Sequence, residues 1–298
     1  MTPGVFDHQE VVYRELAETA RVFFHSDWRN LPIRPRFSRF ITGPTGTGKT
    51  HMVCALGREL GLPVFAITAT SWIPFGASQR GARTTWIDLV EFCRSHTKGI
   101  IFLDEVDKLM GWSPWMQFIR TEAFALLDSK VPDTVTLSGT DSCEDDPDEL
   151  KGRVETARIR LADSFLLLGA GAFQSLWQSK ASGPIGFGSA SQSPSEPLEK
   201  ADLGTVIPAE IINRFASPIL LLNPLRAMDY KSILARVVSQ LDTPLKGFVE
   251  SIGEESIDDA VKNGTGCRWI EEVVLRALMD IPKELSPELG ADMDREMP

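Results

Sequence analysis

Closely spaced cysteines are missing from this 298-residue sequence. Its four thiols are scattered along the chain, with no CxxC pair among Cys54, Cys93, Cys143 and Cys267. Structural zinc sites need such pairs, and a disulfide framework needs a denser set of cysteines. We therefore expect free thiols in a reducing, cytoplasmic environment, and no resident zinc.

A long apolar run and an excess of positive charge are also missing. The apolar runs are far shorter than the roughly 20 residues of a membrane span, and Met1 is not followed by the regions of a signal peptide. The formal net charge of −10 disfavours broad attraction to nucleic acid, although it permits a local basic patch. We expect no membrane association and no nucleic-acid partner.

A glycine-rich motif of the form GxxxxGK[ST] is present between an apolar run at 37–41 and a helical stretch. It comprises Gly43, Pro44, Thr45, Gly46, Thr47, Gly48, Lys49 and Thr50. The glycines let backbone N–H groups surround a polyphosphate, Lys49 adds a positive charge, and the Thr50 hydroxyl is suited to hold Mg²⁺. The following helix presents its positive N-terminal end. A structural glycine turn is the alternative, but the flanking strand and helix favour nucleotide binding.

A second apolar run, at 99–103, ends in two carboxylates, Asp104 and Glu105. Such a run is typical of a strand that is buried on both faces of a sheet. Together with the P-loop, it predicts that Asp104 holds Mg²⁺ through water and that Glu105 polarises the attacking water. Taken alone, the pair is as well explained as a cap of the helix that we expect to begin near Val106.

Apolar runs and helical periodicity alternate along most of the chain. We predict strands at 37–41, 63–68, 99–104, 164–169 and 219–222, and helices at 9–24, 51–60 and 85–95. This alternation predicts an α/β fold, a parallel five-stranded sheet with helices on both faces. Irregular segments are expected at 141–149, which is acidic, and at 178–200, which is rich in Ser, Gly and Pro.

The pattern becomes wholly helical after the last predicted strand. The length suffices for one large α/β domain and a smaller one. We therefore predict a large nucleotide-binding domain at 1–223 and a small helical lid domain with a polar tail at 224–298.

These motifs, in this order, resemble those of an AAA+ ATPase of the ClpX/HslU type, closest to the ClpX ATPase module without its zinc-binding N-terminal domain. The matching segments are Asp104-Glu105-Val106-Asp107-Lys108, Gly171-Ala172-Phe173, Ile185-Gly186-Phe187-Gly188, IPAEIINR at 207–214, and Thr265-Gly266-Cys267-Arg268. The resemblance spans residues 6–282. It implies the AAA+ P-loop fold, with ATP and Mg²⁺ as cofactors.

The resemblance also assigns roles to two arginines. It implies that Arg214 is an arginine finger, which reaches the γ-phosphate held by a neighbouring subunit, and that Arg268 is a second sensor for the phosphate in its own subunit. Phosphoryl transfer needs such positive charge beside the developing anion. For each arginine the alternative is a surface residue or a salt-bridge partner. A finger that acts in trans implies a ring or filament of identical chains, with a hexamer expected.

The sequence departs from ClpX in several places. His8 replaces the glycine of the family's IGQ element beside the adenine, and the Gly169-Ala170 pair offers no polar side chain for the first sensor. The acidic 141–149 segment stands where ClpX has a basic pore loop. Ala77 stands where the pore-loop tyrosine would be, so either Phe75 or Trp72 takes its place or both are packing residues.

The resemblance to ClpX implies Mg-dependent ATP hydrolysis that drives remodelling or unfolding of a protein substrate in an oligomeric ring. The tripeptide Ile185-Gly186-Phe187 implies docking onto a ClpP-type protease. The altered pore loop favours an alternative, a nucleotide-dependent assembly switch that recruits an effector protein without threading a substrate.

Overall fold

The computed structural model describes residues 5–75, 84–111, 113–133, 135, 147–174, 177 and 208–280. Contacts divide the chain into two compact units. The larger comprises Val11–Gly43 and Lys49–Leu222, and the smaller comprises Met1–Glu10, Pro44–Gly48 and Asn223–Pro298. The predicted division followed chain order alone, whereas the contacts group the first ten residues and most of the P-loop with the C-terminal helices.

Five parallel strands form the sheet of the larger unit. They are β1 (Arg39–Thr42), β2 (Val64–Thr68), β3 (Gly99–Asp104), β4 (Phe165–Gly171) and β5 (Leu220–Leu221). Their order in the sheet is β2-β3-β4-β1-β5, and every neighbouring pair is parallel. The predicted α/β fold with a five-stranded parallel sheet is confirmed.

Both faces of the central strands are covered. Ile101 and Leu103 of β3 belong to a core cluster that also contains residues of the flanking helices. Ile100 and Phe102 alternate with them and are equally inaccessible. Because successive strand residues point to opposite faces, burial of all four places apolar layers on both sides of the sheet.

Six helices are described in the part of the chain that includes the sheet. They are α1 (Glu10–His25), α2 (Lys49–Leu60), α3 (Thr85–Ser95), α4 (Pro114–Leu127), α5 (Pro147–Asp163) and α6 (Ala209–Ile212). The first three agree with the sequence pattern, whereas α4 and α5 were not predicted. The helix expected near Val106 is a short 3-10 turn, Val106–Met110, and α4 begins only at Pro114. Residues 147–149 of the acidic segment lie in α5.

Three helices dominate the smaller unit: α7 (Ala227–Val238), α8 (Leu245–Asn263) and α9 (Arg268–Asp280). Their apolar faces form a core of their own that includes Tyr230, Val249 and Trp269. The helix α8 ends at Gly264, which adopts the left-handed conformation (φ 61°) common at helix C-termini. Within the described residues, no helix is long and apolar enough to cross a membrane.

Candidate nucleotide-binding site

The glycines of the P-loop have backbone conformations that few other residues adopt. In the smaller unit, Gly46 has a φ of 82° and Gly48 a φ of 80°. The Thr47 hydroxyl between them donates to the Pro44 carbonyl over 2.9 Å, which closes the turn. Two left-handed glycines in three residues give the tight, side-chain-free backbone that a polyphosphate requires. This backbone fits the predicted nucleotide.

The loop that leads into α9 packs directly against the P-loop within the same unit. The N–H of Cys267 donates to the Gly46 carbonyl over 2.6 Å. A Cβ atom at Gly266 would lie 2.7 Å from backbone atoms of Gly46, so this close approach requires glycine at position 266. Gly266 in turn donates its N–H to the Tyr230 hydroxyl over 2.9 Å, which ties the loop to the core of α7 to α9.

Arg268, the predicted second sensor, is the first residue of α9, and it is exposed. In the sequence it comes directly after Cys267, whose N–H donates to the Gly46 carbonyl of the P-loop. Its role in phosphate sensing stays a prediction.

On the N-terminal side, His8 and Gln9 reach the carbonyls of the P-loop. Gln9 Nε2 donates to Thr47 O over 2.9 Å, and His8 Nε2 lies 3.2 Å from the same oxygen. Burial lowers the pKa of His8 from its usual value, while the contact with Thr47 and the charges of Asp229 and Asp7 oppose that shift. The sequence reasoning treated His8 only as a departure from the family and gave Gln9 no role.

In the larger unit, Lys49 is buried, and its Nζ donates to the Gly43 carbonyl over 2.8 Å. Burial lowers the pKa of Lys49 from its usual value, and the negative charges of Asp104 and Asp107 partly oppose this. A polyphosphate would add negative charge near such an ammonium group and would favour its charged form. This environment suits the phosphate-binding role predicted for Lys49.

The two predicted metal ligands lie together in the larger unit. The Thr50 hydroxyl donates to Asp104 Oδ2, and Asp104 Oδ1 accepts the N–H of Glu105 over 2.8 Å. A hydroxyl and a carboxylate that share one hydrogen bond present the hard oxygen ligands that Mg²⁺ prefers. The donor set therefore fits Mg²⁺ bound to a nucleotide.

The predicted catalytic Glu105 has an unusual backbone and a partner that sequence reasoning missed. Its φ of 55° and ψ of 37° are left-handed values, rare for residues other than glycine. Its side chain accepts a 2.6 Å hydrogen bond from the Thr70 hydroxyl, just after β2. Asp107 was noted only as part of the motif, yet its carboxylate accepts the N–H of Ala172 over 3.0 Å and joins the ends of β3 and β4.

Arg214, the predicted finger, is engaged within its own larger unit. Its guanidinium contacts Asp128, with Nε 3.1 Å from Oδ1, and it stacks over the Phe124 ring at 4.2 Å. It also donates to the Glu210 carbonyl over 2.5 Å. Within its own chain, Arg214 is therefore a salt-bridge partner, which was the alternative to the finger. Its role as an arginine finger for a neighbouring subunit stays a prediction.

The aromatic residues near the expected pore loop are packing residues as far as the structure describes them. Trp72 is 1% exposed, and its Nε1 donates to Glu122 over 2.9 Å. Glu122 also accepts the N–H of Phe75, whose half-buried ring packs against the core. Burial raises the pKa of Glu122, while these two hydrogen bonds oppose the shift. Ala77 and Ile185-Gly186-Phe187 lie outside the described residues.

Part of this site resembles a known protein family. Residues 40–127 match the family model described as "ATPase family associated with various cellular activities (AAA)". This stretch, less than half of the chain, is similar to an AAA ATPase domain and supports ATPase activity. ATP with Mg²⁺ is accordingly the cofactor, and its binding by the P-loop, Lys49, Thr50 and Asp104 stays a prediction.

Several curated relatives carry names of the FtsH type. The chain is 34% identical over 105 residues to FTSHI 4 of Arabidopsis thaliana, described as a probable inactive ATP-dependent zinc metalloprotease of the chloroplast. It is 41% identical over 69 residues to the ATP-dependent zinc metalloprotease FtsH of Methylibium petroleiphilum, and 32% identical over 98 residues to FtsH 3 of Symbiobacterium thermophilum.

These matches cover only part of each protein. They span 35%, 23% and 32% of this chain, but 12%, 11% and 15% of the three relatives. They support an AAA ATPase module and do not single out the ClpX/HslU type. Among the described residues, no group of three His, Cys, Asp or Glu side chains is arranged to hold a metal ion.

Proposed function

We propose that this chain hydrolyses Mg·ATP in an oligomeric ring and uses the energy to remodel or unfold a protein substrate. The observation that carries the proposal is the set of groups in the larger unit: buried Lys49, the Thr50–Asp104 pair, and Glu105 held by Thr70. These are the charge, metal ligands and base that phosphoryl transfer to water requires.

Each of these groups has its own role in the proposed hydrolysis. Lys49 and the P-loop would bind the phosphates, and Thr50 with Asp104 would hold Mg²⁺, which would supply positive charge beside them. Glu105 accepts a proton from the attacking water and orients it for in-line attack. When ATP is bound, Mg²⁺ supplies the electrostatic stabilisation of the phosphates.

The ClpX-like form of the proposal is more specific. It rests on the resemblance in motif order, and the FtsH-type relatives support only the broader AAA ATPase function. Docking onto a ClpP-type protease would depend on Ile185-Gly186-Phe187. A hexameric ring and a cytoplasmic location likewise belong to the proposal, whereas the zinc-dependent proteolysis named for the relatives does not.

A second candidate function is an assembly switch that binds ATP, forms a ring or filament and recruits an effector protein. The burial of Trp72 and its bond to Glu122 favour it, because a side chain held in the core does not grip a moving polypeptide. The two functions differ in their response to substrate. A remodeller hydrolyses ATP faster with an unfolded model protein and loses that stimulation in Phe75→Ala, whereas a switch shows neither effect.

The test of hydrolysis compares wild type, Lys49→Ala and Glu105→Gln. We expect Lys49→Ala to lose nucleotide binding almost completely, since the variant lacks the ammonium group that is proposed to bind the phosphates. Glu105→Gln should keep ATP binding but lose about a hundredfold or more in turnover, because it cannot accept a proton. Turnover, a fluorescent-nucleotide Kd and light scattering are measured against protein concentration.

Turnover that rises with concentration and follows a ring-sized species supports an assembled ATPase. Full turnover in Glu105→Gln would remove Glu105 from the mechanism. Wild-type protein that binds no nucleotide at any concentration would overturn the proposed function.

A further inference from the structure

The buried side-chain amide of Gln9 forms hydrogen bonds with the N-terminal segment and with the P-loop. It is fully inaccessible. Its Oε1 accepts the Phe6 N–H over 3.1 Å, and its Nε2 donates to Thr47 O over 2.9 Å and to Gly48 O over 3.3 Å. A Cβ atom at Gly48 would lie 2.3 Å from Gln9 Nε2, so the amide and the loop are in close contact.

The two carbonyls that Gln9 holds belong to successive peptide groups of the P-loop. The Thr47 carbonyl shares its peptide group with the Gly48 N–H, and the Gly48 carbonyl shares its own with the Lys49 N–H. In a planar trans peptide, the C=O and N–H bonds point in opposite directions. A donor that fixes both carbonyls on one side therefore directs both N–H groups to the other side.

The same hydrogen bonds change the strength of these N–H donors. A hydrogen bond accepted by a carbonyl polarises its peptide group, and the N–H of that group becomes a better donor. The Thr47 carbonyl has a second polar neighbour, since His8 Nε2 lies 3.2 Å from it. Both effects act on backbone groups that a polyphosphate uses in a P-loop.

The segment that carries Gln9 is itself anchored to α7. Phe6 packs against the core of α7 to α9, and the Arg236 guanidinium lies 5.3 Å from the centre of its ring. Arg236 also donates to the Val5 carbonyl, and Ser232 donates to the Asp7 carboxylate. This anchoring holds the 3-10 turn that ends at Gln9 in a fixed position relative to α7.

We propose that Gln9 is a positioning residue that aims the Gly48 and Lys49 N–H groups at the phosphates of the bound nucleotide. It touches no phosphate itself and acts through the Thr47 and Gly48 carbonyls. The inference rests on the proposed nucleotide function. It adds Gln9 to the residues that serve this function, beside the P-loop, the metal ligands and the catalytic glutamate.

The test uses the full chain with two substitutions of similar side-chain size. Gln9→Leu removes all hydrogen bonds of the amide, and Gln9→Glu keeps an acceptor for Phe6 but replaces the donor with an oxygen that faces two carbonyls. The matched control is Ser256→Ala, which removes the 2.9 Å hydrogen bond from Trp269 Nε1 in the same unit, a bond that includes no P-loop residue. Circular dichroism and thermal unfolding select conditions where every variant is folded.

Binding of a fluorescent ADP is measured, with inorganic pyrophosphate and adenosine as competitors, together with the KM and kcat of ATP hydrolysis. We expect both Gln9 variants to bind ADP and pyrophosphate about tenfold or more weakly, and Ser256→Ala to stay within about twofold of wild type. The KM for ATP should rise more than kcat falls, and competition by adenosine should be unchanged. This result is specific to the phosphates and separates positioning from a general loss of structure.

Folded Gln9 variants that bind ADP and pyrophosphate like wild type would overturn the inference and leave the proposed function intact. An equal loss of affinity for adenosine would also overturn it and make Gln9 a residue of the fold alone. If wild type binds neither ADP nor pyrophosphate, the proposed function fails first and the inference falls with it.

Discussion

At the residue scale, Glu105 combines a left-handed backbone with a side-chain hydrogen bond from the Thr70 hydroxyl. Such a backbone costs a non-glycine residue about 1–2 kcal/mol, so the surrounding structure must hold it in place. Thr70 supplies a 2.6 Å hydrogen bond to one carboxylate oxygen. The orientation of the catalytic carboxylate therefore depends on a hydroxyl that follows β2 (Val64–Thr68).

Replacing Thr70 by Val keeps the side-chain shape but removes this donor. We expect kcat to fall about tenfold, since Glu105 is no longer oriented toward the water, while the KM for ATP changes by less than about twofold. Thr70→Ser keeps the hydroxyl and should retain most of kcat. Steady-state ATPase kinetics of the three proteins provide the measurement, and equal kcat in Thr70→Val and wild type would contradict the role.

Thr70 and Gln9 show which site residues the sequence could not reveal. The P-loop, Asp104 and Glu105 follow from spacing because their chemistry is contained in short motifs. Thr70 instead acts on a residue 35 positions away, and Gln9 on one 38 positions away. The motifs in the sequence assigned neither Thr70 nor Gln9 a partner, so only the folded chain shows these contacts.

At the element scale, the loop between α8 (Leu245–Asn263) and α9 (Arg268–Asp280) contains a natural pair for comparison. Gly264 and Gly266 both have left-handed backbones, with φ of 61° and 68°. A Cβ at Gly264 would meet nothing within 4 Å, whereas one at Gly266 would lie 2.7 Å from Gly46. Any other residue would be strained at either position, but only Gly266 contacts the P-loop.

Alanine at each position separates these two effects. Gly264→Ala should cost about 1 kcal/mol of stability through backbone strain alone and leave nucleotide affinity unchanged. Gly266→Ala should add a collision that pushes the loop from Gly46, and we expect its affinity for ADP to fall about tenfold. Chemical denaturation and nucleotide titration measure the two quantities. Equal affinities in both variants would show that the loop contact does not support binding.

The helix α5, which the sequence pattern missed, lacks a dense apolar stripe. Among the side chains of α5 (Pro147–Asp163) that the structure describes, the buried apolar ones are Val154, Ala157 and Leu161, set among charged side chains. So sparse a stripe at helical spacing is easily read as polar loop. The buried strands were predicted because nearly continuous apolar runs are typical of the middle of a parallel sheet.

At the scale of the whole molecule, the open question is whether one chain completes the active site of another. Arg214 lies in its own unit against Asp128 and over Phe124. The Arg214 and Asp128 side chains are 24% and 34% exposed, so their ion pair contributes only about 0–1 kcal/mol to stability. A pair this weak can be exchanged for a phosphate of a neighbouring subunit.

Mixing two defective variants tests this role in trans. Arg214→Ala has an intact Glu105 but no finger, and Glu105→Gln has the finger but no base, so each alone should be about a hundredfold or more below wild type. In a mixed assembly, a Glu105→Gln subunit presents Arg214 to the intact site of its neighbour, and we expect turnover to recover to a measurable fraction of wild type. The comparison mixture is Glu105→Gln with Lys49→Ala, in which every site lacks its own base or its own lysine, so no recovery is expected.

A further variant separates the finger from a structural role, since Asp128→Ala breaks the ion pair but leaves the arginine. If Arg214 acts on a neighbouring phosphate, Asp128→Ala should keep ATPase activity within about threefold of wild type, because loss of an exposed pair hardly changes stability. If the ion pair itself matters, Asp128→Ala and Arg214→Ala should lose activity alike, and the mixture should stay inactive. Turnover of the mixtures at concentrations where assembly is complete distinguishes the two, and recovery there would mean that the active unit is an oligomer whose sites are each built from two chains.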